Sequence, residues 1–189
     1  MFLHADNCSG QNKNKTVIPY LAWRTILGYH QKVTLSFIIV GHTRCLVDGC
    51  FGLLKRHFRR SDVYTMEQLQ ECVERSAACN VAQLIPGSGV VWRQWDDFFI
   101  RYFKRIPNIS KVHHFSFSSP EPGVVRYKTS LNSQQQELNI LKISKEELRD
   151  KGLPTAIPPA GLSDERRQYL FKEIRPYVPA AFQDNLCPM

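Results

Sequence analysis

Two carboxylates set among nine cations are the residues in the first third of the chain most able to do chemistry. Asp6 follows a short apolar run, Phe2-Leu3-His4-Ala5, in a polar loop over 6–14 that leads into a helix-patterned stretch. Asp48 follows the next apolar, β-branched run at 33–40, near the expected start of a second helix. Open α/β sheets bind ligands at the carboxyl ends of their strands. If these two strands are adjacent and parallel, both carboxylates emerge at one sheet edge. Oxygen ligands converging there suit Mg²⁺ or Mn²⁺, and two such ions roughly 3.5–4 Å apart clamp the attacking and leaving oxygens of a phosphodiester. His42, in Gly41-His42-Thr43 at the end of the second strand, is placed to assist proton transfer or product release. The competing reading is structural: two acids that cap helices and a histidine that is merely hydrogen-bonded.

The charge map points to the same third of the chain. Of 25 Lys and Arg against 17 Asp and Glu, residues 1–60 hold nine cations and two acids, so they carry +7 of the net +8. A segment so poor in acids faces a polyanion or is a solvated basic face. The candidate phosphate contacts are Lys13, Lys15, Arg44, Lys55, Arg56, Arg59 and Arg60. The run Lys55-Arg56-His57-Phe58-Arg59-Arg60 also suits a helix C-terminus, where cations complement the dipole.

His42-x2-Cys45-x4-Cys50, with Cys8 or His57 as a fourth ligand, offers zinc-ligand types, but the spacing lacks the paired C-x2-C knuckles of a strong zinc signal. The six cysteines read as free thiols, with Cys72 and Cys79 facing a core from one helix. Trp92, Trp95, Phe98, Phe99, Tyr102 and Phe103 follow helical spacing and read as core.

Elements that would position these groups follow from periodicity and punctuation. Apolar residues recur at helical spacing over 16–29, with Pro19 tolerable only in the first turn. A helix is expected from 48 or 49 to 59 with Phe51, Leu54 and Phe58 on one face. Thr65-Met66-Glu67-Gln68 is a capping-box pattern opening a helix to about Cys79. Residues 81–85 read as a strand and 95–104 as a helix. Residues 112–117, 124–130 and 138–143 read as an antiparallel meander, and Ser163 caps a helix over 164–174.

Strand-helix-strand-helix order implies an α/β layer with parallel neighbours. The expected organisation is an α/β domain over 1–110, a β-rich extension over 111–150 and a proline-rich tail over 151–189 with one helix. No apolar run is long enough for a transmembrane helix, and the N-terminus lacks the basic and apolar regions of a signal peptide. The expected setting is therefore intracellular, the basic run allowing nuclear import, with no membrane partner.

The stretch His4-Ala5-Asp6-Asn7-Cys8-Ser9-Gly10-Gln11-Asn12-Lys13-Asn14, together with Gly41-His42-Thr43, Asp48, Phe51-Gly52 and Arg59-Arg60, resembles a domain-of-unknown-function family abundant in transposon-like open reading frames of animals. That family is similar to the RNase H-like nucleases and transposases. The resemblance covers most of the chain, including the Leu170–Pro176 segment. It implies that Asp6 is the second acid of an RNase H-like site, at the end of the fourth strand. Asp48 would be the third acid, on the helix after the fifth strand, His42 an accessory residue, and Gln11 and Asn12 the shapers of the loop. Mg²⁺ or Mn²⁺ would be the cofactor and nucleic acid, DNA first, the partner.

An RNase H-like layer begins with three strands, the first carrying the first acid. This chain starts almost at the fourth, so the resemblance implies a C-terminal fragment or a decayed or domesticated copy. Such a chain is expected to be nuclease-inactive. It would offer an exposed strand edge for self-association and, as the alternative function, would be a non-catalytic nucleic-acid-binding or protein-interaction remnant.

Overall fold

The computed structural model describes residues 1–8, 10–38, 46–85, 89–158 and 160–188. In chain order its main elements are β1 (Phe2–Ala5), α1 (Val17–Ile26), β2 (Lys32–Phe37), α2 (Leu46–Phe58), α3 (Met66–Ser76) and α4 (Trp95–Tyr102). They continue with β3 (His114–Ser118), β4 (Val124–Lys128), β5 (Gln136–Asn139), α5 (Lys145–Asp150), α6 (Asp164–Tyr169) and α7 (Ala180–Leu186). Two compact units share these elements. One holds residues 1–43 and 93–157, the other 44–92 and 158–189.

The first unit is built on a mixed five-stranded sheet in the order β1-β2-β3-β4-β5. β1 and β2 are parallel, with Ala5 opposite Phe37, and every later pair is antiparallel. The fold is thus an α/β layer with a parallel strand pair, an antiparallel meander and a C-terminal helix. The meander does not form a separate layer, because β3 hydrogen-bonds directly to β2.

Helix α1 forms because its apolar residues recur every three or four positions, and Ile18, Leu21, Ala22 and Ile26 are all buried. Pro19 falls in its first turn, where its missing N–H costs nothing. Two first-turn donors, the amides of Thr16 and Val17, instead meet Asn14 Oδ1 at 2.9 and 2.8 Å. At the other end Gly28 takes φ +80° to stop the helix, and the Arg149 guanidinium donates twice to the Ile26 carbonyl, at 2.9 and 3.2 Å.

Burial alternates along β2 and β3, so Val33, Leu35, Phe37, Phe115 and Phe117 face the core while Thr34, Ser36, His114 and Ser116 are half-buried. The apolar, β-branched run beginning at Val33 is thus a strand whose two faces are unequally buried. Phe98, Phe99 and Phe103 are buried in the same core, and Tyr20 and Trp23 meet the ring of Trp95 edge-on at 5.0 and 5.1 Å. The aromatic run is therefore core, except for Trp92, which is half exposed in the second unit.

The turn between β3 and β4 depends on Gly123. Its φ is +82°, and a Cβ there would stand 2.5 Å from Leu141 Cδ1 and Cγ. Its carbonyl also accepts the Ile140 amide at 2.9 Å, joining the turn to the chain after β5. Gly123→Ala is expected to destabilise the first unit by about 1–3 kcal/mol through left-handed strain and overpacking, as read from urea unfolding midpoints.

In the second unit α2 packs along α3. Thr65 and Gln68 form the expected capping box, with the Gln68 amide donating to Thr65 Oγ1 at 3.2 Å. Cys72 is buried as expected, but Cys79 is exposed, its Sγ 3.9 Å from that of Cys50. Their contact raises the Cys50 thiol above its ordinary value, chiefly through the hydrogen bond to Cys79.

Residues 81–85 form no strand, and Val81 is 85% exposed. An apolar run becomes a strand only where a sheet edge takes it, and this sheet takes Gln136–Asn139 as its fifth strand instead, slightly earlier than periodicity suggested. Ser163 caps α6 as expected, and the helix continues through a π turn over Leu170–Ile174. Tyr64 stacks on Phe182 of α7 with ring centroids 5.2 Å apart. Among the described residues no helix is long and apolar enough to cross a membrane.

Candidate nucleic-acid interface

The basic run is carried by the last turns of α2. Lys55, Arg56 and Arg59, spaced three and four apart with Gly52, fall on one helix face, and Arg60 follows in the turn. Together Gly52, Lys55, Arg56, Arg59 and Arg60 line a concavity of about 430 Å³. All four cations are exposed, and among the described residues none makes an ion pair. Ser61 Oγ donates to the His57 carbonyl at 3.0 Å and closes the helix end without using a basic side chain. α2 buries none of its residues: Phe51 and Phe58, two of the three expected on its packed face, are 56% and 46% exposed.

Asp6 stands immediately after β1, at the sheet edge where the parallel strand β2 also ends. It is exposed, and its carbonyl accepts the Asn12 side-chain amide at 3.0 Å. Asn12 thus ties the loop together, while Asn14 rather than Asp6 serves the start of α1. Asp48 lies in the first turn of α2, where a carboxylate complements the helix dipole. Asp6 belongs to the first unit and Asp48 to the second. His42 and Arg44 lie outside the described residues.

Among the described residues no three His, Cys, Asp or Glu side chains are grouped to hold a metal ion.

Lys13 and Lys15 occupy a different setting from the α2 cations. Lys13 is 2% exposed, donates from Nζ to the Ser110 carbonyl at 3.0 Å and lies 4.8 Å over the Phe37 ring. Burial lowers its pKa, because desolvation disfavours the ammonium. Lys15 pairs with Asp96 at 3.4 Å, and the Thr16 hydroxyl also donates to that carboxylate.

The Thr16 hydrogen bond first, and Lys15 second, hold the Asp96 carboxyl below its usual range. A depressed carboxyl adds stability that is fully present above its unfolded value and is lost as pH falls through the folded one. Asp96→Asn is therefore expected to lower stability slightly near neutral pH, the group being half exposed, and to leave it unchanged near pH 3, so that the acid limb of the stability curve flattens. Urea titrations between pH 3 and pH 7 check this.

Lys104, Arg105 and Lys142 join Lys13 and Lys15 around one cleft of the first unit. Sequence reading missed them; the Lys104-Arg105 pair ending the aromatic helix was the available signal.

A family model described as "Domain of unknown function (DUF7869)" matches residues 1–135. No curated protein and no solved structure matches the chain.

Proposed function

The chain belongs to the DUF7869 family, and we propose that it binds nucleic acid through the basic face of α2 without cutting it. The observation that carries this reading is the cluster of four exposed, unneutralised cations lining one concavity. Like charges held together repel, and a phosphate backbone relieves that repulsion while releasing its own counterions. We further propose that the scaffold derives from an RNase H-like layer, with Asp6 and Asp48 two acids of its site. The parallel pair β1–β2 linked through α1, with Asp6 at the carboxyl end of β1, supports that origin. This ligand suits a compartment that holds nucleic acid, the nucleus included.

The test is binding of a labelled duplex to the 189-residue chain over a series of salt concentrations. Four phosphate contacts give a slope of log K against log salt of about −3.6. In Mg²⁺ or Mn²⁺ the duplex stays intact, and Asp6→Ala with Asp48→Ala leaves affinity unchanged. Absence of a salt slope would refute nucleic-acid binding. Metal-dependent cleavage abolished by Asp6→Ala would overturn the non-catalytic part.

A further inference from the structure

In the first unit, α4 and the segment after it bound a cleft of about 820 Å³ with the loop that precedes α1. That volume lies within the roughly 300–1,000 Å³ range of small-molecule sites. Among the described residues its lining carries five cations, Lys13, Lys15, Lys104, Arg105 and Lys142, and no acid, Asp96 reaching it only through its pair with Lys15. Lys13 and Lys142 are positioned by backbone carbonyls, Ser110 at 3.0 Å and Ile100 at 2.7 Å, and Lys15 by Asp96. Lys104 and Arg105 are exposed, and neither makes an ion pair among the described residues.

Apart from Asn14, the rest of the lining is apolar: Pro19, Phe99, Ile100, Phe103, Ile106 and Ile109. A ligand that satisfies both parts needs several negative charges and an apolar or planar body. Inorganic phosphate meets the charge and leaves the apolar floor wet. A fatty acid covers the floor but brings one charge to the two exposed cations, Lys104 and Arg105.

We propose that this cleft binds a nucleotide bearing more than one phosphate group, its phosphates against Lys104 and Arg105 and its base on the floor around Phe103 and Ile106. A free nucleoside polyphosphate and the 5′-phosphorylated end of a strand share this chemistry. The site uses none of the α2 residues and lies within the first unit, so it stands or falls separately from the reading above.

Isothermal titration of the 189-residue chain with ATP tests it, with AMP, pyrophosphate, decanoate, and 5′-phosphorylated and 5′-hydroxyl tetranucleotides as competitors. ATP is expected to bind saturably and about tenfold more tightly than AMP or pyrophosphate, because each of these lacks one of the two matched parts. Lys104→Gln with Arg105→Gln weakens ATP by about tenfold at an unchanged melting temperature, as does Ile100→Trp, which fills the cleft without altering charge. Competition by the phosphorylated tetranucleotide alone identifies a strand end as the ligand; competition by neither identifies the free nucleotide.

Absence of saturable ATP binding overturns the proposal. So does decanoate binding more tightly than ATP, pyrophosphate matching ATP, or ATP affinity insensitive to both variants. ATP affinity is unchanged by glutamine at 55, 56, 59 and 60; a loss there overturns the assignment to this cleft.

Discussion

Replacing Lys55, Arg56, Arg59 and Arg60 together by Gln is expected to remove most of the salt dependence of nucleic-acid binding. Each lost phosphate contact takes about 0.9 from the slope of log K against log salt, so the slope falls by about 3.6. For the unmodified chain that slope alone corresponds to a loss on the order of 10²-fold in affinity between 50 and 200 mM salt. The variant is expected to bind on the order of 10²-fold more weakly at low salt and to respond little to further salt.

The fold is expected to survive this change, because none of the four side chains is buried and the helix end is closed by Ser61. A control with the same loss of net charge, at the exposed and dispersed Lys111, Lys145, Lys151 and Lys172, separates a local cluster from a general effect of basicity. Fluorescence anisotropy across the salt series checks both. Equal losses in the two variants would mean that α2 has no special part.

Phe115→Ala is expected to have the largest effect on stability, about 3–5 kcal/mol. The ring is 1% exposed, on the central strand β3, and meets Phe37 edge-on at 6.1 Å and Phe117 in a stack at 6.5 Å. Its removal forfeits burial and leaves a cavity that a sheet held by hydrogen bonds on both sides collapses poorly. A domain's whole stability is about 5–15 kcal/mol, so the variant stands close to unfolding.

The adjacent residue is the internal comparison. Ser116 points to the other, half-buried face, and Ser116→Ala is expected to shift stability by about 0.5 kcal/mol or less. Urea unfolding followed by circular dichroism reads both. Equal effects at 115 and 116 would contradict the one-sided core.

Much of the fold was legible because its signals are local. Periodicity alone located α1 and α4, and the side-chain chemistry of Thr65 and Gln68 located the start of α3. An apolar, β-branched run located β2, and strand-like runs bounded by turn residues located β3 and β4. The same logic was present and overlooked at α5, where Ser144 and Glu147 form a capping box identical in kind to the one opening α3. Elements that owe their existence to a distant partner were not legible. Residues 81–85 and 136–139 are both plausible short strands, and only the open side of β4 decides between them.

For the candidate sites the division is sharper. Residue order alone shows that positive charge is concentrated before residue 61, that acids there are two, and that the expected second helix ends in a run of cations. Helical spacing then places those three and four apart on one face.

Which cations can meet a ligand from solvent follows from the folded contacts. Lys13 and Lys55 look alike in sequence. Yet Lys13 is enclosed, with its ammonium on the Ser110 carbonyl 97 positions away, and Lys55 is exposed. The tertiary structure alone also joined Lys13 and Lys15 to Lys104, Arg105 and Lys142 around one cleft. The physical reason is the same in both cases: burial and convergence are properties of contacts between distant segments, and no local pattern encodes them.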